Sequence, residues 1–384
     1  MTHDEEWKEF VEGWGREKGR VLGGRLPLTG DASNRRYFRV EFKGEESPKT
    51  AILMERQGTL GFKKSEEAVS GGAPEPPGDP FLLVADALGR RGLPVPSIYH
   101  RLPDGSKTLQ EDLGDETLLS RLQSEAKAEG SLTEKALSLL VRLQSARPDG
   151  DLSWVRNRPY SRELIRWEFE HFVEYGLANV PEGRLRQIRE GFDREAADLA
   201  GEETKVLVHR DYHSRNIMVR ADGSLALIDF QDLLWGSPYY DLASFLFDAY
   251  RTVPLERIEK ALARYLDLAQ ESGVLPETSH EEAMERLCRH AFQRNLKACG
   301  RFFYIADVKK NPAFLGSVAG THANMLRIVG RVPSLAPLYE SFSAYLRFPD
   351  PLSSPCDSAD SSWPRVWEPG SVRSSRIFPN LSFR

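Results

Sequence analysis

One stretch of the sequence, residues 206–241, constrains the fold more than any other: VLVHRDYHSRNIMVRADGSLALIDFQDLLWGSPYYD. A short apolar run leads into a polar loop centred on Asp211. Two apolar segments, 217–219 and 225–228, then flank an Asp-Gly turn, which is the pattern of a β-hairpin. Asp229 follows the second segment directly, so the hairpin brings Asp211 and Asp229 to the same end of a small sheet.

This arrangement of polar side chains suits phosphoryl transfer. One carboxylate can orient the acceptor hydroxyl, while an amide and a second carboxylate hold the Mg²⁺ ions that neutralise a triphosphate. In kinases an Asn stands five positions after the catalytic Asp, and a second Asp follows about a dozen residues later. Asn216 stands five positions after Asp211, and Asp229 lies 13 beyond Asn216. The pattern predicts Asp211 as the catalytic residue, with Asn216 and Asp229 as metal ligands; the alternative is a hairpin with ordinary turn carboxylates.

Composition excludes several other classes of protein. A chain of 384 residues is long enough for two lobes with a sizeable core. The net charge of -5 argues against a nucleic-acid partner, and no apolar run approaches the length of a membrane span. The acidic N-terminus lacks the apolar core of a signal peptide. Because the three cysteines form no disulfide or metal framework, we expect a cytoplasmic protein.

The N-terminal part of the sequence predicts a small sheet beside one helix. Residues 4–19 have the spacing of an amphipathic helix, and residues 26–55 read as three antiparallel strands. The first two strands flank the polar turn 29–34, in which Gly30 and Ser33 could offer a backbone N–H and a hydroxyl to phosphates. We therefore expect a phosphate-binding turn upstream of the catalytic hairpin.

The third of these strands departs from the kinase pattern. Kinases carry a Lys there that pairs with the nucleotide phosphates, whereas Met54 stands at that position in this chain. The preceding strand offers Arg35, Arg36 and Arg39 as other sources of positive charge. We predict Arg36 as the phosphate contact, with Arg39 next; the alternative is that these arginines are solvated strand charges.

The pattern changes from strands to helices near residue 113. The composition of residues 57–80 predicts a flexible surface loop. Residues 110–115 are predicted to form the hinge between two lobes. Hinge backbone groups read adenine in kinases, which makes Glu111 and Leu113 candidate nucleotide contacts. We predict an N-terminal lobe over 1–113, a mostly helical lobe over 114–349, whose last helix spans 334–346, and a disordered tail over 350–384.

Two predicted helices carry candidate acceptor residues. The helix over 161–175 bears Glu168 and Tyr175, and a carboxylate and an aromatic face suit a sugar. A later helix carries Gln293 and Lys297, either of which could reach the acceptor. The alternative for all four is an ordinary solvated helix face. Asp241 is expected to begin and cap a helix and to give structural support to the catalytic loop.

The motifs together resemble a known family. The H-x-D-x-x-x-x-N and I-D-F patterns are similar to those of the aminoglycoside phosphotransferase superfamily of kinase-like small-molecule kinases. A narrower resemblance is to the bacterial anomeric kinases of amino sugars, and it covers residues from about 5 to about 347. It is carried by the segments 30–39, 52–55, 111–115, 206–216, 229–232, 240–242 and 293–297. That group also lacks the third-strand Lys, but Asn34 stands where it usually has an aromatic residue.

The resemblance implies a fold and a reaction. The fold would be α+β and bilobal, like a protein kinase, with a small antiparallel N-terminal sheet and a larger helical lobe. The reaction would be transfer from ATP with Mg²⁺ to the 1-hydroxyl of N-acetylmuramate or N-acetylglucosamine, in cell-wall recycling. Arg215 would meet the γ-phosphate or a sugar carboxylate, and His209 would orient the loop without titrating.

Three alternatives stay open at this point. An aminoglycoside kinase would use the same chemistry, although a polycationic substrate needs a strongly acidic pocket and no dense acidic cluster follows Leu242. A catalytically inactive binding protein is suggested by the absent Lys, but Asp211, Asn216 and Asp229 are all present. A protein kinase is disfavoured because no A-P-E segment follows Asp229. The oligomeric state is left open.

Overall fold

The N-terminal region forms a five-stranded antiparallel sheet, in the order β1-β2-β3-β5-β4. Its register places Tyr37 opposite Met54, and Met54 opposite Thr108. The predicted three-stranded unit is confirmed, although its first strand begins at residue 21 and not at 26. The strands are β1 (Val21–Leu28), β2 (Arg35–Lys43), β3 (Thr50–Arg56), β4 (Ile98–Arg101) and β5 (Lys107–Glu111).

The two faces of this sheet pack against different partners. Successive side chains of a strand point to opposite faces. One face packs on helix α1 (His3–Glu17), and its buried apolar side chains form a small core of their own: Trp7, Val11, Trp14, Val40, Phe42, Ala51, Leu53 and Leu109. The other face carries Met54, which belongs to the main core of the molecule. The second face is therefore the one directed toward the rest of the protein.

Helix α2 (Pro80–Arg90) joins the sheet to the catalytic region. Asp79 caps its N-terminus by accepting a hydrogen bond from the Leu82 N–H at 3.1 Å. Phe81, in the first turn, stacks on Phe230 with ring centroids 5.3 Å apart. Since Phe230 follows Asp229 in the sequence, this contact fixes the position of the second acidic loop.

The remainder of the described chain is mostly helical, with two small two-stranded sheets. The predicted hairpin is confirmed, since β7 (Ile217–Val219) pairs antiparallel with β8 (Leu225–Leu227). The strands of a second antiparallel pair, β6 (Val206–Val208) and β9 (Leu234–Gly236), precede and follow the hairpin in the sequence. The helices are α3 (Leu118–Ser124), α4 (Glu129–Ser145), α5 (Arg162–Gly176), α6 (Glu182–Ala200), α7 (Pro238–Leu246), α8 (Leu255–Glu271), α9 (His280–Asp307), α10 (Val318–Arg331) and α11 (Ala336–Phe342).

Helix α9, with 28 residues, is central to the helical region and crosses α5 closely. The crossing occurs at Gly300, where a Cβ atom would lie 2.8 Å from the Phe172 Cα and 3.0 Å from the His171 carbonyl oxygen. Only glycine permits this separation, because the neighbouring atoms belong to the backbone of α5. The two helices are therefore held at a distance set by one residue.

The computed structural model describes residues 3–28, 35–44, 48–56 and 76–349, with side chains from residue 6 onward. The predicted phosphate turn, with Gly30, Ser33 and Asn34, lies outside the described residues, as do most of the predicted loop and the predicted tail. The described residues between 3 and 349 belong to a single compact unit. In the described part of the chain, no helix is both long and apolar enough to span a membrane.

The helix predicted over 334–346 is present but shorter than predicted. The structure has a short 3₁₀ turn at 333–335, then α11, then a second 3₁₀ turn at 343–345. Pro337 lies at the start of α11, where its missing N–H leaves no hydrogen bond unmade. Pro337 therefore lies at the start of a new helix and does not continue the 3₁₀ turn that precedes it.

Candidate active site

The predicted catalytic loop connects β6 to β7 and is held by Asp241. The Asp241 carboxylate accepts hydrogen bonds from the His209 N–H at 2.6 Å and the Arg210 N–H at 3.0 Å. Burial raises the pKa of Asp241 to about 7, while the two N–H bonds favour the carboxylate and limit the rise. The structure corrects one detail, because Ser237, and not Asp241, caps helix α7.

Both acidic loops contain a residue in the left-handed backbone region. Arg210 has a φ of 80° and Asp229 has a φ of 61°. Such conformations are unfavourable for residues other than glycine, and they persist where surrounding contacts fix them. The two positions flank the candidate chemistry, since Arg210 immediately precedes Asp211. These backbone conformations set the direction of the Asp211 and Asp229 side chains. Contacts such as the hydrogen bond from the Arg210 N–H to Asp241 stabilise them.

Asp211 faces an open cavity beside helix α9, which lines it from Arg294 to Phe302. Its Oδ1 accepts a hydrogen bond from the Arg294 guanidinium at 3.1 Å, and the Asp211 side chain is 37% exposed toward the cavity. Burial opposes its charge, but Lys297 and Arg294 outweigh burial and hold the pKa of Asp211 well below its usual range. Asp211 is therefore a carboxylate near neutral pH.

The two candidate metal ligands are joined to Asp211 by hydrogen bonds of the hairpin. Asn216 donates from Nδ2 to the Asp211 carbonyl oxygen at 3.0 Å, which leaves its amide oxygen for another partner. The Ile228 N–H donates to the Asn216 carbonyl at 3.1 Å, so Asp229 comes next to Asn216. Gln231 donates to Asp229 Oδ1 at 2.7 Å. These hydrogen bonds place the Asn216 and Asp229 positions beside the loop that carries Asp211.

His209 supports this arrangement from within the protein. Its Nε2 lies 3.0 Å from the Ile228 carbonyl oxygen, a contact in which the ring N–H donates. Burial lowers the pKa of His209 to about 4, so the ring is neutral near pH 7. This agrees with the expectation that His209 orients the loop and does not titrate.

The donor set fits Mg²⁺. One amide oxygen and one carboxylate are hard ligands, and Mg²⁺ bound through one or two protein oxygens normally takes its other ligands from phosphates and water. Among the described residues no group of three or more His, Cys, Asp or Glu could hold a metal by itself. Asn216 and Asp229 therefore suit an ion that arrives with a nucleotide better than a resident structural metal.

A buried charged cluster lies behind the cavity wall. Glu168, with no exposed surface, accepts hydrogen bonds from Arg210 at 3.1 Å and Gln293 at 2.6 Å, and pairs with Lys297 at 2.8 Å. Burial opposes ionisation of Glu168, but Lys297 and Arg210 lower its pKa below the usual value. Glu168 and Lys297, both predicted as substrate residues, are thus partners of each other. Lys297 lines the cavity, whereas Glu168 lies behind it.

The fourth predicted acceptor residue, Tyr175, is placed elsewhere. It lies two helical turns beyond Glu168 on α5, and its ring contacts His171 and Tyr304 with centroids 4.9 and 5.1 Å away. It is not one of the side chains that line the cavity beside Asp211. Its interactions are those of a packed aromatic cluster.

Arg294 was missed by sequence reasoning although it touches the predicted catalytic residue. Besides Asp211, it donates to the Tyr240 hydroxyl at 2.7 Å. A signal was available, because Arg294 and Lys297 are three residues apart on α9 and so share one helix face. The contact with Asp211 spans 83 positions of sequence, which spacing alone does not reveal.

The arginines of β2 occupy two faces of the sheet. Arg36 lies over the Phe38 ring, on the α1 face, and pairs with Glu55 at 3.5 Å. Arg35 is on the other face with Tyr37, and its guanidinium lies 5.3 Å from the Phe81 ring centroid. Burial raises the pKa of Tyr37, and the Asp229 charge contributes to the rise. The face carrying Arg35 is therefore the one near the second acidic loop.

Two other predicted residues, Arg39 and Glu111, have defined partners, and a third, Leu113, is placed only by its position in the chain. Arg39 shares the face of Arg35 but binds Asp112 at 2.6 Å and Asp115 at 2.8 Å. Glu111 ends β5; its backbone N–H donates to the Ser97 carbonyl oxygen at 2.8 Å and its carboxylate pairs with Arg220 at 2.7 Å. The half-buried Leu113 follows it in the connection to α3.

The last, Arg215, lies over the rings of Tyr250 and Phe314, 4.8 and 5.1 Å from their centroids. Its guanidinium thus contacts two aromatic rings close to the predicted catalytic loop.

A sequence profile described as the phosphotransferase enzyme family matches residues 25–276. The chain belongs to this family. It is therefore a phosphotransferase, and the matched span contains most of the sheet, the predicted catalytic hairpin and Asp241. The family assignment confirms the recognition made from the motifs.

Two curated relatives have the same name, N-acetylmuramate/N-acetylglucosamine kinase. The protein from Pseudomonas aeruginosa is 31% identical over 336 residues, which cover 86% of this chain and 90% of the relative. The protein from Neisseria meningitidis is 32% identical over 263 residues, covering 64% of this chain and 73% of the relative. The first of these relatives aligns along nearly its whole length.

Solved structures with low sequence identity share the fold. A choline kinase from Streptococcus pneumoniae superposes with a TM-score of 0.55 at 14% identity, covering 87% of this chain and all of that one. A choline/ethanolamine kinase family protein from Mesorhizobium loti gives a TM-score of 0.53 at 13% identity, covering 89% of this chain and 99% of that one. The predicted kinase-like fold, with an N-terminal antiparallel sheet and a mostly helical remainder, is confirmed.

Proposed function

We propose that this protein is an ATP-dependent kinase that phosphorylates the anomeric 1-hydroxyl of an N-acetylated amino sugar, N-acetylmuramate or N-acetylglucosamine. One observation carries the proposal: Asp211 faces an open cavity while hydrogen bonds tie its loop to Asn216 and Asp229. The names of relatives that align along most of this chain support the sugar substrate.

Asp211 would orient the acceptor hydroxyl for in-line attack. Because Lys297 and Arg294 stabilise its charge, Asp211 is a weak base, and it accepts the proton late, as the bond to phosphorus forms. Asn216 and Asp229 would hold Mg²⁺, which with ATP supplies the phosphoryl group and neutralises its charge. Asp241 and His209 keep the loop in place throughout.

We further propose that Arg35 takes the role of the missing Lys. Met54 lies opposite Tyr37 on the face of the sheet near Asp229, and Arg35 is two residues before Tyr37 on that face. The predicted choice, Arg36, lies on the α1 face with Glu55. Arg39 is held by two carboxylates. The placement favours Arg35 among the three.

The charge of the cavity favours an amino sugar over an aminoglycoside. Three cationic side chains, Arg294, Lys297 and Arg301, line it together with Asp211. A polycationic drug would be repelled by these groups, whereas a neutral or acidic sugar would not. An inactive binding protein is disfavoured because the carboxylates and their supporting contacts are complete.

The proposed reaction has a direct test. Phosphorylation at the 1-hydroxyl removes the reducing end of the sugar, so ADP release and loss of reducing-sugar reactivity should rise together. The purified protein would be assayed with Mg-ATP against N-acetylmuramate, N-acetylglucosamine, hexoses and aminoglycosides. ADP release with an aminoglycoside alone, or with a sugar that keeps its reducing end, would contradict the proposal.

Two expectations accompany this proposal. The sugars concerned are products of peptidoglycan breakdown, so the enzyme would act in cell-wall recycling, in the cytoplasm where ATP is available. Cys288 and Cys299 are free and buried, and burial raises the pKa of each thiol to about 12. Thiols held in this unreactive state suit a protein that works under reducing conditions.

A further inference from the structure

Helix α9 presents a row of three cations to the cavity beside Asp211. Arg294, Lys297 and Arg301 all line it, and they are spaced by three and four residues. That spacing puts them on one face of the helix, with Arg301 about 10 Å along the axis from Arg294. Arg294 is the member of the row that touches Asp211. Arg301 is therefore at the far end of the cavity from the candidate reacting hydroxyl.

The first two cations of the row have carboxylate partners, whereas the third has none among the residues that the structure describes. Arg294 pairs with Asp211 at 3.1 Å, and Lys297 pairs with Glu168 at 2.8 Å. Arg301 lies over the Tyr304 ring, 5.0 Å from its centroid, and forms no ion pair with a carboxylate of the described residues. The charge of Arg301 is therefore not neutralised by the protein residues that the structure describes.

A second cation strengthens the positive potential at this end. Burial lowers the pKa of Lys309, and the charge of Arg301 lowers it further. Lys309 is therefore near enough for its charge to interact with that of Arg301, and a cleft lined by charges of one sign attracts ligands of the opposite sign. Arg301 is also half-buried, so a bound anion would meet it in partly dehydrated surroundings.

We infer that Arg301 binds a carboxylate on the acceptor, so that the cavity selects an acidic amino sugar over its neutral counterpart. A planar guanidinium binds a carboxylate through two parallel hydrogen bonds, and such pairs are stronger than neutral ones. The inference rests on the proposed function and names the substrate class within it. N-acetylmuramate and N-acetylglucosamine differ by one carboxylate-bearing ether, on the side of the ring away from the 1-hydroxyl.

The geometry assigns the two ends of such a sugar separately. The 1-hydroxyl is oriented by Asp211, and the carboxylate extends along α9 toward Arg301. Lys297 lies between them but is engaged by Glu168 and by the Tyr240 hydroxyl at 3.3 Å. Arg215, the other candidate for a sugar carboxylate, lies over Tyr250 and Phe314 and is not among the cavity-lining side chains. Arg301 is the specificity-determining residue in this arrangement.

The test compares the two sugars in one protein. Steady-state kcat/KM would be measured with N-acetylmuramate and N-acetylglucosamine for the native protein, Arg301→Gln, Arg301→Lys and the control Lys310→Gln. Lys310 is exposed and lies beyond the end of α9. We expect Arg301→Gln to lower kcat/KM for N-acetylmuramate about 30-fold through a higher KM. The same substitution should change kcat/KM for N-acetylglucosamine less than about twofold. Arg301→Lys should lie between, and Lys310→Gln should match the native protein.

Each other outcome has a defined meaning. A ratio of the two kcat/KM values that is unchanged in Arg301→Gln overturns the inference alone. Equal losses on both sugars, or a rise in the KM for ATP, also overturn it, because Arg301 would then be structural or would bind the nucleotide. If Arg301→Gln fails to fold, the charge-preserving Arg301→Lys decides by whether it loses activity on the acidic sugar selectively. A native protein that phosphorylates neither sugar overturns the proposed function and this inference with it.

Discussion

Arginines stand beside carboxylates in two regions of this protein, and the two regions differ in burial. In the N-terminal sheet, Arg36 is 42% exposed, although its partner Glu55 is only 3% exposed. In the helical region, Arg210 is 7% exposed and its partner Glu168 is fully buried. The arginine is thus close to solvent in one pair and enclosed by protein in the other.

This difference in burial predicts a difference in how much each ion pair contributes to stability. An ion pair near solvent contributes roughly 0–1 kcal/mol, because water competes for both charges. A buried pair has lost its hydration, so removal of one partner leaves an uncompensated charge and destabilises by about 3–5 kcal/mol. The buried cluster therefore fixes the shape of the acceptor side of the site. The exposed guanidinium of Arg36 does not fix its surroundings in this way.

The largest effect is expected at Asp211, in the buried region. Asp211→Asn should lower kcat about 1000-fold, because the neutral amide cannot accept the hydroxyl proton. Circular dichroism should show a folded protein, while the melting temperature should fall, because the buried Arg294 loses its carboxylate partner. Asp222→Asn, in the exposed turn of the same hairpin, is the matched control and should keep native activity. Native kcat in Asp211→Asn would remove Asp211 from the chemistry.

The next effect concerns stability and compares the two classes of ion pair directly. Glu168→Gln leaves Arg210 and Lys297 without their carboxylate and should lower the free energy of unfolding by about 3–5 kcal/mol. The exposed pair between Arg264 and Glu134 provides the control, and Glu134→Gln should cost less than about 1 kcal/mol. Urea unfolding measures both. Equal losses in the two variants would erase the distinction between the regions.

Acid should act on the buried region through His209. Its folded-state pKa of about 4 lies below the unfolded value, so the unfolded chain binds the extra proton. This contribution to stability is complete above about pH 6.5 and is lost as the pH falls toward 4, by up to ~3 kcal/mol. Asp241, whose pKa is raised to about 7, titrates in the same range with the opposite sign, so the contribution of His209 is read as a difference between two proteins. Urea unfolding of the native protein and of His209→Gln at pH 7.5, 6 and 5 should show that the native protein loses more stability, or gains less, as the pH falls. Equal pH dependence in the two proteins would contradict this role of His209.

The smallest effect should separate the two faces of one strand. Arg35→Gln should raise the KM for ATP about tenfold if its guanidinium meets a phosphate. Arg36→Gln, on the opposite face, should change that KM less than about twofold. Sugar KM values should stay constant in both. A larger rise in the KM for ATP in Arg36→Gln than in Arg35→Gln would favour Arg36, the residue predicted from the sequence, as the phosphate contact.

Sequence patterns predicted the features that depend on neighbouring residues. The hairpin around residues 217–227 was predictable because alternation and an Asp-Gly turn are local signals, and the Asp211–Asn216 spacing is equally local. The face of β2 that meets the rest of the protein was not predictable, since it depends on where α1 and α2 pack. Arg36 was preferred to Arg35 for that reason. Arg294 was missed because its contact with Asp211 joins distant segments.

The glycine at the crossing of α5 and α9 connects backbone packing to specificity. Gly300 lies one residue before Arg301 and one helical turn after Lys297. Any side chain there would force the two helices apart and shift the row of cations away from Asp211 and Glu168. A methyl group that touches no substrate would thereby alter which sugars are accepted. Variation in acceptor preference among related enzymes can therefore arise from a position that never meets the ligand.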